Sequence, residues 1–189
     1  MSHSNQHYFY ALELPMGTKE KLGENCRELK ETLHFKRWVH PHDYHITLAF
    51  LGHAPDNMLS DSIKKLETGI DSPAFTLKIQ HLGVFGKSDS PRIFWAGVNE
   101  EPLLKDAREI VYQACIDSGF KLETRPFKPH ITLARKWDGD LPFTNEWLRQ
   151  ADPFLGKEME FEAENIVLYK THLGKEPKYE AVLTIPLQS

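Results

Sequence analysis

The tetrapeptide His-Ile-Thr-Leu occurs twice, at 45–48 and again at 130–133, 85 positions apart. Laying the chain on itself at that offset brings Phe9-Tyr10-Ala11 onto Phe94-Trp95-Ala96, Phe35-Lys36 onto Phe120-Lys121 and Pro41 onto Pro126. Between these anchors Leu22, Cys26 and Leu29 fall on Ala107, Val111 and Ala114, one apolar face at helical spacing in each copy. Each half therefore reads strand, helix, His-Ile-Thr-Leu strand. Thr18 is predicted to cap the first helix, Pro102 to sit in the first turn of the second, and Gly119 to end it in the left-handed conformation.

The repeat continues past the motifs. A shorter helix follows each, with Leu59, Ile63, Leu66 and Ile70 on one face in the first half and Trp147, Leu148 and Ala151 after Thr144 in the second. Strands come next: Phe75, Leu77 and Ile79 alternate like Met159, Phe161 and Ala163, at an offset of 84, and the one-residue slip is assigned to the loops. A last strand, Tyr179 to Ile185, repeats the register of Phe94 to Val98. The pattern is two α+β modules that interlock. One bilobal domain over 1–189 is expected, with repeats at about 8–85 and 93–170 and a terminal strand at 178–187. Either half alone would bury too little surface to be more than marginally stable. The segment 86–91 is a loop, too short to separate domains.

In a strand, side chains alternate with period two, so each motif turns its histidine and threonine to one face and its isoleucine and leucine to the other. Packing accounts for the aliphatics and leaves the repeated His and Thr unexplained. Two imidazoles, the side chains whose ordinary pKa lies near neutrality, are what a general acid and a general base require. The net charge of −4 argues against a broad nucleic-acid footprint. Locally the sign reverses: Arg125, Lys128, Arg135 and Lys136 bracket His130, and Lys36 and Arg37 precede His45. That arrangement suits a compact anion such as one phosphate group.

Several alternatives are disfavoured. His40-Pro-His42-Asp-Tyr-His45 looks like a metal cluster, but His42 falls on Phe127 and His40 on Arg125 in the repeat, and Pro41 sets an extended lead-in, so no metal is expected. No Walker-type or dinucleotide-binding glycine pattern occurs, so no nucleotide cofactor is expected. Trp38, Phe9 and Tyr10 could stack on a base, yet aromatics at such positions are more often core. Cys26 and Cys115 occupy apolar helix positions and read as reduced core thiols. Forty per cent hydrophobic and 26% charged residues describe an ordinary soluble protein without a membrane-length apolar run, and the polar start, Met1 to His7, gives a cytoplasmic expectation.

The flanking residues extend the pattern. Arg37-Trp38-Val39 leads to His45-Ile-Thr-Leu-Ala-Phe-Leu-Gly52, Pro91-Arg92-Ile-Phe-Trp-Ala-Gly-Val98 opens the second half, and Phe127-Lys-Pro-His130-Ile-Thr-Leu-Ala-Arg135 carries the second motif. From Tyr8 to Leu187 the chain resembles the 2H phosphoesterase superfamily, and specifically its RNA 2′,3′-cyclic phosphodiesterase branch, formerly called 2′-5′ RNA ligase. The resemblance implies two pseudo-symmetric lobes of mainly antiparallel sheet, helices outside, with the motifs facing across a central cleft. It implies a metal-independent hydrolase in which His45 protonates the departing 3′-oxygen and His130 takes a proton from water, leaving a 2′-phosphomonoester. Thr47, Thr132 and Arg135 then contact phosphate. RNA termini or small cyclic nucleotides are the expected substrates, with no cofactor, no membrane and a monomer. Ligation by the reverse chemistry and a non-catalytic nucleotide-binding module are the alternatives; intact histidines and threonines in both motifs count against the second. Arg135 poses a geometric problem. Five residues after His130, an ideal strand would turn it to the opposite face, so it must lie beyond the strand end, follow a bulge, or reach round.

Overall fold

Repetition in the sequence becomes a palindrome in the sheet. The structure, a computed structural model, describes residues 6–189; the first five, part of the polar start behind the cytoplasmic expectation, lie outside the described residues. The elements in chain order are β1 (His7–Glu13), α1 (Met16–Thr32), β2 (Phe35–Trp38), a 3-10 turn (Pro41–Asp43), β3 (His45–His53), α2 (Asp56–Gly69), β4 (Phe75–Gly86) and β5 (Pro91–Val98). There follow α3 (Pro102–Asp117), β6 (His130–Trp137), α4 (Asn145–Ala151), β7 (Met159–Ala163), β8 (Asn165–Thr171) and β9 (Tyr179–Pro186).

The strand order is β7-β4-β5-β6-β3-β1-β8-β9, with β2 added on β6. The two motif strands, β3 and β6, meet at the centre through one antiparallel pair, Ile46 opposite Ile131. Outward from that point β5 mirrors β1, β4 mirrors β8 and β7 mirrors β9. The halves exchange strands: β4, which follows the first motif, pairs with β5, and β8 returns to pair with β1. Each lobe of this curled antiparallel sheet is thus built from both halves of the sequence. Ile46 and Ile131 are fully buried at the junction, a burial that stabilises by about 1.5–3 kcal/mol for each side chain.

One face of the sheet packs under the helices. Tyr10, Leu12, Ile46, Leu48, Phe94, Ala96, Ile131 and Leu133 meet Leu22, Cys26 and Leu29 of α1 and Leu104, Ala107 and Val111 of α3 in one core. The two thiols are buried and unpaired, and burial raises Cys26 to about 11 and Cys115 to about 12. Pro102 occupies the first turn of α3 as expected, and Gly119 takes a positive φ just past its end. Thr18 does not cap α1. The helix begins earlier, where the Pro15 carbonyl accepts from the Lys19 amide, and Thr18 is buried inside the first turn. Among the described residues no helix is long and apolar enough to cross a membrane.

The first strands of the two halves match differently from their sequence resemblance. Ala11 and Trp95 both lie opposite a motif threonine, and Glu13 and Gly97 opposite a motif histidine. The spatial offset there is 84, because 33 positions separate Gly97 from His130 and 32 separate Glu13 from His45. Tyr10 therefore corresponds to Phe94, both fully buried under the helices, while Phe9 and Ala11 share the motif face with Ile93 and Trp95.

Candidate active site

The sequence Asp43-Tyr44-His45 turns its histidine back on itself. The His45 Nδ1 lies 2.7 Å from the carbonyl oxygen of Asp43, and the His130 Nδ1 lies 2.7 Å from that of Lys128. A carbonyl only accepts, so Nδ1 carries the hydrogen in both rings and donates it, which leaves Nε2 as the basic nitrogen of each ring. The hydroxyl of Thr47 lies 3.0 Å from the His45 Nε2 and donates to it. With Ile46 opposite Ile131, the antiparallel register sets His45 level with Thr132 and Thr47 level with His130. The four repeated side chains thereby gather on one face around the pseudo-two-fold axis.

Arg135 joins them through a bulge. Trp95 pairs with Thr132 and Phe94 with Ala134, so Leu133 is an extra residue in β6 and the alternation slips by one. Arg135, opposite Ile93, thus returns to the face of His130 and Thr132. The same bulge occurs at Leu48 in β3, where Ala11 pairs with Thr47 and Tyr10 with Ala49. Phe50 is consequently the counterpart of Arg135 and is well exposed.

Charge breaks the symmetry. Burial lowers His45 to about 4, opposed by its bond to the Asp43 carbonyl and by the Asp43 carboxylate, while Lys19 and His130 add to the lowering. His130 is also lowered, first by burial; the Lys128 carbonyl opposes the shift and the Arg135 charge reinforces it. Asp43 and Lys19 thus act in opposite senses on His45, whereas the charge that acts on His130 is that of Arg135. The Asp43 carboxylate is itself buried and accepts from the backbone amides of Lys178 (2.8 Å) and Tyr179 (3.2 Å), which ties the start of β9 to the first motif. Tyr179 packs its ring 5.3 Å from His45 and 4.8 Å from Phe9. Burial raises its hydroxyl pKa, against the charge and hydrogen bonding of Arg135 from the opposite lobe.

Chain and structure then meet known proteins. The pattern of the LigT like phosphoesterase family matches residues 12–95 and again 97–179, once per repeat. The chain belongs to this family. An RNA 2′,3′-cyclic phosphodiesterase of Geobacillus stearothermophilus is 42% identical over 182 residues, which cover 96% of this chain and 57% of that relative, so the chain spans little more than half its length. One of Bacillus subtilis (strain 168) is 35% identical over 96% of both chains. In fold, the chain is similar to Escherichia coli LigT complexed with 3′-AMP, with a TM-score of 0.80 at 23% identity over 97% of this chain and 99% of that one. A structure from Thermus thermophilus gives 0.74 at 23% identity over 97% and 98%.

The residues singled out from sequence come together in part. His45, His130, Thr47, Thr132 and Arg135 share one face, whereas Trp38 packs on Phe35 and Phe94 beneath the Lys30 ammonium, and Tyr10 bonds Ser62 in the core. His40 and His42 pair with each other, the His40 Nδ1 accepting the His42 amide at 3.1 Å, away from the His45 Nδ1 contact. Three neighbours escaped sequence reasoning. Asp43 was legible only as the residue matching Lys128, and Tyr179 and Phe85 carry no local motif. Tyr169 and Phe85 occupy equivalent places on β8 and β4, and Phe85 stands 4.9 Å from His130, edge to face.

Proposed function

We propose that the protein hydrolyses the 2′,3′-cyclic phosphate of RNA ends or small nucleotides to a 2′-phosphomonoester, with His45 as general acid and His130 as general base. The observation that carries the reading is the pair of histidines, each fixed through Nδ1 so that Nε2 is the nitrogen that can exchange a proton, on one face with the two threonines. The His130 Nε2 takes a proton from water, the water oxygen attacks phosphorus opposite the 3′-oxygen, and the His45 Nε2–H protonates that oxygen as its bond to phosphorus breaks. The hydroxyls of Thr47 and Thr132 and the guanidinium of Arg135 donate to the non-bridging oxygens, where charge accumulates in the transition state.

The charges around the pair differ: the Asp43 carboxylate favours a proton on His45 against burial, Lys19 and His130, whereas the Arg135 charge disfavours one on His130, and an arriving phosphodiester anion favours a proton on either ring. The strand exchange between β4 and β8 supports one working unit over residues 1–189. Two buried, unpaired cysteines support a reducing compartment such as the cytoplasm. The test is incubation with an RNA ending in a 2′,3′-cyclic phosphate, in EDTA and without ATP. A 2′-phosphate terminus is expected, with chelator-resistant turnover; a 3′-phosphate product or abolition by EDTA would contradict the reading.

A further inference from the structure

Both motif histidines donate Nδ1–H to the carbonyl two residues earlier, but the backbone that supplies this carbonyl is anchored differently in the two halves. Ahead of His45, β2 pairs with β6 and the 3-10 turn follows. Helix α1 touches that turn directly: a Cβ at Gly23 would stand 2.9 Å from the Pro41 ring, and the Lys19 Nζ donates to the His42 carbonyl at 2.9 Å. Ahead of His130 there is neither a strand nor a 3-10 turn. Among the described residues, no backbone-to-backbone hydrogen bond reaches 121–128, so side chains must hold that segment. At the offset of 85, Gly23 falls on Arg108, Pro41 on Pro126 and His42 on Phe127. Where α1 packs a glycine against its lead-in, α3 inserts a guanidinium. The Arg108 Cζ lies over the Tyr112 ring, 4.0 Å from its centre, and over the Phe127 ring at 5.3 Å. The Arg108 side chain is only 16% exposed, its Nε–H is buried without an acceptor, and the exposed Glu109 carboxylate lies 3.5 Å from its Nη1. The Tyr112 hydroxyl, one turn further along α3, donates to the Glu123 carbonyl at 3.0 Å.

A planar, delocalised cation is the charged group best suited to such a place, since it stacks on aromatic faces and is weakly hydrated. Phe127 is one residue from the carbonyl that orients His130. Pro126 and Pro129 fix φ on either side, and a residue before proline is confined to extended backbone, so Lys128 follows the placement of Phe127. The Lys128 carbonyl then accepts the His130 Nδ1–H at 2.7 Å. We propose that Arg108 is a positioning residue for His130: by bridging the Tyr112 and Phe127 rings it aims the Lys128 carbonyl, and with it the ring of the general base. The role in catalysis rests on the two-histidine reading above.

Arg108→Met keeps an apolar stem and removes the planar cation. The readout is the His130 ring itself, titrated by NMR in the free protein, with its signal identified by its absence in His130→Gln. Facing that ring are Arg135 on its own strand, His45 on β3, and the rings of Phe85 on β4 and Trp95 on β5. Burial lowers the His130 pKa most, the Lys128 carbonyl opposes that, and Arg135 reinforces it. Loosening the carbonyl is therefore expected to lower the proton affinity of His130 by about three- to tenfold, the worth of one hydrogen bond. The kcat for a cyclic nucleotide should fall roughly 10–100-fold, the cost of a misplaced catalytic group. Loss of a positive charge alone would raise the proton affinity of His130, and loss of packing alone would leave it unchanged in the folded protein; either result overturns the proposal. Phe127→Leu removes the ring at the other end of the clamp, is expected to reproduce both changes, and decides the matter should Arg108→Met not fold. Absence of cyclic-phosphate turnover in the wild type would instead contradict the hydrolytic reading, and the titration would still test the clamp.

Discussion

His45 should make the protein acid-labile in a way that one substitution removes. Its imidazole titrates at about 4 in the folded chain against an ordinary 6.5, with burial the leading cause. Because the folded value is depressed, the unfolded chain takes up the proton first as pH falls, so the stabilisation is fully present above 6.5 and lost on the way to 4. One pKa unit corresponds to about 1.4 kcal/mol, so between pH 7.5 and pH 4.5 His45 alone costs the native state about 2.5 kcal/mol. Carboxylates titrate in the same window, which is why the comparison must be with His45→Gln. That variant loses the bond to the Asp43 carbonyl, a pH-independent offset, and keeps every other titrating group. Urea unfolding of both proteins at the two pH values should show the stability of the variant relative to wild type rising by about 2–3 kcal/mol on acidification. A gap that stays constant would refute the claim that the ring is held neutral by its surroundings.

Other variants probe the remaining contacts. Thr47→Ala removes a hydroxyl that touches the His45 Nε2 and that is proposed to donate to phosphate; kcat is expected to fall about 10²-fold, measured by steady-state turnover of a cyclic nucleotide. Asp43→Ala strands two backbone amides of the segment entering β9 and should cost about 1–3 kcal/mol in urea unfolding. It should also move the basic limb of the pH–rate profile to lower pH, since a negative charge favouring the proton that His45 must carry is gone. Gly97→Ala drives a methyl into the rings of Trp95 and His81 and is expected to lower stability by about 1–3 kcal/mol in the same assay.

The shared face of the two motifs was legible in the chain because period-two alternation and exact repetition act on the same four residues. The duplicated helices were legible for a similar reason, since apolar spacing survives even where Leu22 is matched by Ala107. What escaped depends on insertions of a single residue. Arg135 needs a strand end, a bulge or a reach round to join the motif face, and no residue type at Leu48 or Leu133 signals that the bulge is the device used. One residue more between the paired positions Gly97 and His130 than between Glu13 and His45 shifts Trp95 from the apparent match of Tyr10 to the true match of Ala11, from core to cleft floor. Asp43 and Tyr179 meet across more than a hundred positions, a contact set by strand exchange and invisible to any local pattern. Thr18 misled because Pro15, three residues earlier, already starts the helix.

The division of labour between the histidines is tested most directly by changing the leaving atom. A cyclic substrate with sulfur in place of the bridging 3′-oxygen needs little protonation to depart. On that substrate His45→Ala should recover to within about tenfold of wild type, while His130→Ala stays down by about 10²–10⁴-fold, the usual worth of a general base. Recovery of His130→Ala instead, or of neither variant, would contradict the assignment of His45 as the acid.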